Sequence, residues 1–245
     1  MDGLRRALGF LTVYPLRATD TWTPETLGSS MVYYPLVGLF IGIALWILSL
    51  LLNTLFPLPV AHVLLLGALA MMTGGLHLDG LADTIDGLSG GYSREETLNI
   101  FKDPHVGTMA VVGVALVLML KYASLNVLPD DAMLPTLVLM STLSRFSMVQ
   151  LASFSSYARA SGGVGEPFVR GIKREHFVTA MLLTIGIALL FSGMRGLTIW
   201  LLVSLATYGY QTYFRKRLSG ITGDVLGATN EINETLVLLL ATMVY

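Results

Sequence analysis

The segment HLDGLADTIDG places Asp79, Asp83 and Asp86 at positions i, i+4 and i+7. At about 100° per residue, these three carboxylates fall within a sector of roughly 60° on one helix face. Like charges at i, i+4 oppose helix formation, and ionised carboxylates at a membrane boundary are costly unless compensated. A cation must therefore sit among them, yet the next basic residue along the chain is Arg94. The chain has no cysteine, and oxygen donors without sulfur favour a hard ion, Mg²⁺ or Mn²⁺, which proteins commonly share with substrate phosphates. Asp79, Asp83 and Asp86 are expected metal ligands, with Asp86 also a candidate for proton transfer.

A second acidic set lies far along the chain in TGDVLGATNEINE, where Asp224 and Glu231 share a face at i, i+7 and are expected to complete the metal site. Asn230 and Glu234 stand beside them as expected substrate contacts, and Gly223 and Gly227 would admit a helix or ligand close to the backbone. His77 projects about 200° from Asp79 on a continuous helix and cannot join the stripe. If Gly74-Gly75 breaks the helix, His77 can act as a base or a phosphate ligand; otherwise it is expected to be a packed or interfacial histidine. In FKDPHVGT, Lys102 suits either a phosphate oxygen or an interfacial, snorkelling position. Arg145, in STLSRFSMVQ, is an intramembrane cation that should face the bundle interior and pair with these acids or with a phosphate. Lys121 lies nearer the middle of its span, where snorkelling is one option, and the sequence alone does not assign its role. The glycine-rich SGGVGEPF, 161–168, does not have the phosphate-loop spacing and reads as a lid. Together these residues suit metal-assisted displacement at a diphosphate, with a carboxylate or His77 taking a proton from an attacking hydroxyl.

These side chains must be positioned by membrane-spanning helices. Of 245 residues, 54% are hydrophobic and 13% charged, and the mean hydropathy is +0.70, against about 25% charged in soluble domains. Apolar runs predict spans near 31–55, 60–79, 106–128, 133–153, 177–193 and 196–212, with a shorter one near 233–245. Twelve Lys and Arg residues fall in the N-terminal arm (Arg5, Arg6, Arg17) and in the loops after the second, fourth and sixth spans, whereas the alternate loops hold only Arg195. That bias predicts a cytoplasmic N-terminus. The result is an all-α, polytopic integral membrane bundle of about seven transmembrane helices, forming a single domain over residues 1–245 with its polar glycine-rich segments on the cytoplasmic face. The N-terminus lacks the features of a cleaved signal peptide. A net charge of −1 argues against nucleic-acid binding. An echo between TGG at 73–75 and TGD at 222–224, each followed by carboxylates seven apart, is too short to establish a repeat. A secondary transporter would place its site near the midplane, whereas these acids collect at one face.

CDP-alcohol phosphotransferases offer a partial match. Gly75, Asp79 and Asp83 fit the end of their signature, but its upstream half is missing. More closely, TGGLHLDGLADTIDG, FKDPHVGT, SRFSMV and TGDVLGATNEINE, in this order and spacing, resemble the cobalamin synthase family, the adenosylcobinamide-GDP ribazoletransferases. The resemblance runs from the N-terminal LGFLTVYPL to the last span, and within FKDPHVGT, where Pro104-His105 departs from the family's pattern, it implies substrate contacts at Asp103 and Gly107 more than at His105. It implies a Mg²⁺-dependent reaction in a bacterial or archaeal inner membrane, in which a ribose 3′-hydroxyl of α-ribazole, or its 5′-phosphate, attacks the cobinamide-side phosphorus of adenosylcobinamide-GDP and GMP leaves. It also leaves room for a homo-oligomer or an assembly with other corrinoid enzymes.

Overall fold

A computed structural model describes residues 2–15 and 22–245; Arg17 of the basic N-terminal arm lies outside them. Eleven helices and a short 3₁₀ turn make up the described chain, with no strand among the described residues beyond one isolated bridge between Tyr157 and Ile221. They are α1 (Asp2–Leu11), α2 (Pro24–Ser30), α3 (Tyr34–Leu55), α4 (Leu58–Met72), α5 (Leu76–Gly90), α6 (Arg94–Ile100), α7 (Thr108–Val127), α8 (Asp130–Ser153), α9 (Glu166–Gly171), α10 (Arg174–Leu218) and α11 (Gly223–Val244). By length and apolarity, four stretches can cross a membrane: α2 with α3, then α7, α8 and α10. The bent pair α4–α5 makes a fifth when counted as one broken span. The all-helical membrane bundle expected from hydropathy is what forms.

The centre of the bundle is α8. Residues 136–149 are buried throughout, and α3, α10 and α11 all pack on this helix. Its small polar side chains Thr136, Ser141, Thr142, Ser144 and Ser147 are all buried around the helix, which suits close helix contacts where water is absent. The two spans expected at 177–193 and 196–212 are the arms of α10, which meet at Gly193 (φ 54°, ψ −135°). The chain folds back there, because Phe154 at the end of α8 meets both arms. Its ring lies 4.9 Å from that of Phe177, and its carbonyl accepts a hydrogen bond from Gln211.

Two features bear on the acidic motifs. Gly74 and Gly75 both adopt positive φ (61° and 70°), conformations that favour glycine, and between them α4 and α5 turn by 90°. In addition, α11 begins at Gly223, not near 233. Thr222 caps it by accepting a bond from the Val225 N–H at 3.3 Å, so the whole TGDVLGATNEINE motif is helical.

The basic segments gather at one end of the bundle. Arg94 donates to the carbonyls of Leu218 (2.8 Å) and Ala158 (2.7 Å), and Arg217 donates to those of Gly91 and Tyr92. These bonds tie the segments 91–107, 154–165 and 217–222 into one polar cap. There α6 is a short helix whose start is fixed by a reciprocal Ser93–Glu96 cap.

Candidate active site at the crossing of two acidic helices

At the polar end, α5 and α11 pack against each other with glycines at the contact. A Cβ on Gly80 would lie 2.8 Å from the Asp224 carbonyl oxygen and 3.1 Å from its Cα, and one on Gly227 would lie 3.3 Å from the Cα of His77. This close approach brings Asp79 and His77 of α5 and Asp224 of α11 to the wall of one cavity of about 190 Å³. Val164, Gly165 and Phe168 line the same cavity, so the glycine-rich segment at 161–168 covers it.

The aspartates divide by partner. Asp79 is exposed and Asp83 half-buried, and neither side chain has a hydrogen-bond or ion-pair partner among the described residues. Asp83 lies in α5, one turn beyond Asp79, with Asp224 nearby. Asp224 accepts from Arg159 Nη2 at 2.7 Å and from the Thr222 hydroxyl at 3.1 Å. Asp86 sits elsewhere: its two oxygens accept from the N–H groups of Gly107 (2.5 Å) and Ala110 (2.9 Å), capping the start of α7. The Gly107 N–H is thereby taken up as well.

Glu231 and Glu234 are on α11 but not at the cavity wall. Seven residues of helix carry Glu231 about 10 Å deeper than Asp224, where it meets Lys121 Nζ at 2.6 Å. Lys121 also reaches Glu234 at 2.5 Å, and Arg145 pairs with the other oxygen of Glu234. Lys121 is 1% exposed; it does not snorkel, because two carboxylates hold it inside. Arg145 pairs with one of the acids, as an intramembrane cation should. Asn230 bridges this cluster to His77, donating from Nδ2 towards Glu234 Oε1 (3.1 Å) and lying 3.1 Å from His77 Nδ1.

The remaining sequence candidates lie outside the lining of that cavity, with Lys102 beside the segment that covers it. Lys102 donates to the Ser161 hydroxyl at 3.1 Å, and Asp103 holds the His105 ring nitrogen at 2.6 Å. Asp86, Asp103, His105 and Gly107 line a separate open cavity of about 400 Å³. Arg159, counted in the sequence only as a loop cation, belongs to the site through Asp224, with its guanidinium 5.9 Å above the Phe101 ring. Its place in the loop segment ARAS gave no sign of that pairing.

Among the described residues, no three Asp, Glu or His side chains converge closely enough to form a metal cage on their own. Asp79 and Asp224 instead present carboxylates to the cavity, with Asp83 one turn beyond Asp79 on α5. That donor set fits Mg²⁺, which keeps several waters and is usually bound by one or two carboxylates together with substrate phosphates.

Fold and site define a polytopic helical membrane protein with an acidic, oxygen-donor centre at its polar end. The family model described as cobalamin-5-phosphate synthase matches residues 3–242, and the chain belongs to that family. A curated relative from Syntrophobacter fumaroxidans is 39% identical over 98% of this chain and 97% of its own length. Relatives from Geotalea daltonii and Pseudomonas fluorescens are each 40% identical, over 95% of this chain and 94% and 96% of their own lengths. All three are named adenosylcobinamide-GDP ribazoletransferase. No solved structure matches the chain.

Proposed function

We propose that this protein is an adenosylcobinamide-GDP ribazoletransferase whose reaction takes place at the crossing of α5 and α11. The α-ribazole hydroxyl oxygen forms a bond to the cobinamide-side phosphorus, the bond from that phosphorus to the GMP oxygen breaks, and GMP departs with the bridging oxygen. The observation that carries the reading is the pair of unpartnered carboxylates, Asp79 and Asp83, facing the Arg159-bound Asp224 in a chain of this family.

Asp79, Asp83 and Asp224 would hold Mg²⁺, which neutralises the diphosphate charge and stabilises the leaving phosphate when bound. Arg159 is placed to donate to a phosphate oxygen, since its planar fork has donors beyond the one given to Asp224. The hydroxyl proton passes to whichever of these carboxylates is not engaged with the metal. Lys102, beside the segment that covers the cavity, offers a second cation to the nucleotide end. The segment 161–168 covers the cavity and keeps water from competing with the acceptor. By the Lys and Arg bias, this polar end faces the cytoplasm of an inner membrane. Nucleoside and 5′-phosphate are both acceptable acceptors on these grounds.

The test is GMP release by liposome-reconstituted protein supplied with adenosylcobinamide-GDP, with and without α-ribazole and with Mg²⁺ or EDTA. Release that needs both acceptor and metal supports the transferase. Release of CMP from a CDP-linked lipid donor, without release of GMP, would point instead to the phospholipid-forming phosphotransferases.

A further inference from the structure

His77 is 1% exposed and lines the cavity, and its Nε2 has no hydrogen-bond partner among the described residues. Buried polar atoms are almost always satisfied, so this one is available for something that enters the cavity. What it can offer depends on where the ring proton resides, and its neighbours decide that.

Glu234 Oε1 accepts from Arg145, and Glu234 Oε2 accepts from Lys121 at 2.5 Å. A carboxylate held by two cations is an acceptor only. The Asn230 atom 3.1 Å from Glu234 Oε1 must then be the amide nitrogen, since a turned amide would set oxygen against oxygen. That same nitrogen lies 3.1 Å from His77 Nδ1. With one N–H directed at Glu234 and the other at the ring, Asn230 requires Nδ1 to accept. An Nδ1–H tautomer and an imidazolium would each set hydrogen against hydrogen. The one remaining state is neutral imidazole with its proton on Nε2.

We infer that His77 is a neutral Nε2–H donor to a phosphoryl oxygen of the bound diphosphate, fixed in that tautomer by Asn230, and that it is not the base. The chain of contacts runs from Lys121 and Arg145 through Glu234 and Asn230 to the ring, which gives the buried ion cluster a purpose: it sets the direction of one hydrogen bond in the cavity. Asn230 is a positioning residue in this scheme, acting through His77. The inference rests on the proposed phosphotransfer for the identity of the acceptor oxygen, but not for the tautomer.

Two measurements test it. Nitrogen-15 NMR of histidine-labelled, ligand-free protein in nanodiscs, with His77 assigned from His77→Gln, reads the tautomer directly. The expected state is the Nε2–H form in the wild type, giving way to a tautomer mixture in Asn230→Ala. An Nδ1–H ring or an imidazolium at neutral pH would overturn the inference. The second arm is turnover. Removing a preorganised donor costs about 10²–10³-fold in kcat, so His77→Ala should fall by that factor. His77→Gln, whose amide can donate from nearly the same place but cannot serve as a base, should recover to within about tenfold of wild type. A folded His77→Gln as inactive as His77→Ala would overturn the donor role. The NMR arm needs no substrate. A wild type that releases no GMP would therefore count against the proposed reaction, while the spectrum still decides the tautomer.

Discussion

Replacing Lys121 by Met removes one of four buried charges and leaves the other three unbalanced. Lys121, Arg145, Glu231 and Glu234 form a neutral set, with side chains 2%, 0%, 6% and 0% exposed. Without Lys121, Glu231 has no cation and Glu234 keeps only Arg145, so the cluster carries one uncompensated negative charge out of reach of water. Breaking a buried pair from one side costs about 3–5 kcal/mol, which lowers the folded-to-unfolded ratio by roughly 10²–10³-fold or more. Removing the opposite charge as well, in Lys121→Met/Glu231→Gln, restores neutrality and leaves Arg145 with Glu234. A buried pair replaced as a unit is often nearly neutral in stability, so the double variant should be more stable than Lys121→Met alone. The coupling in such cycles is about 0.5–3 kcal/mol. Unfolding in mixed micelles of increasing denaturing detergent, followed by circular dichroism, measures all four proteins of the cycle. A loss below about 1 kcal/mol for Lys121→Met, or single effects that simply add in the double variant, would refute the closed, neutral cluster.

Three further outcomes follow from the site. Gly80→Ala sets a methyl group 2.8 Å from the Asp224 carbonyl and must part α5 from α11; overpacking costs about 1–3 kcal/mol and a 1 Å misplacement about 10²-fold in rate, whereas wild-type kinetics would show that the crossing does not set the site. A carboxylate must be ionised to bind metal, so proton and metal compete at Asp83: at limiting Mg²⁺ turnover should fall as the pH is lowered, with a midpoint that moves lower as Mg²⁺ is raised; a midpoint indifferent to Mg²⁺ contradicts ligation by Asp83. Arg159→Gln removes a charge-assisted donor worth about 1.5–3 kcal/mol, so kcat/KM for the GDP-linked donor should fall about 10- to 150-fold in steady-state assays, and an unchanged value would place Arg159 in loop structure alone.

Much of this fold could be read from the sequence because its signals are local. Apolar runs mark the spans, Gly74-Gly75 marks the break, and Ser93 with Glu96 marks the start of α6. The carboxylate stripe was equally legible, and Asp79 and Asp83 do stand together. Its partners were harder to read. Helical angle places Glu231 on the face of Asp224, but two turns of axial rise carry it to Lys121, 110 residues away in sequence. Asp86 shares the stripe by angle as well, yet the start of α7 arrives beside it and takes both oxygens. Arg159 enters from a loop with no periodicity to reveal which acid it meets. Each case turns on a contact between distant segments, which spacing within one helix does not encode.

The most direct measurement is GMP release by Asp79→Asn and Asp83→Asn in proteoliposomes, beside wild type, with adenosylcobinamide-GDP, α-ribazole and saturating Mg²⁺. These substitutions keep side-chain size and remove only the carboxylate charge. Loss of release in both, with unfolding midpoints equal to wild type, is the expected result. Wild-type release from either folded variant would contradict a catalytic centre at the crossing of α5 and α11.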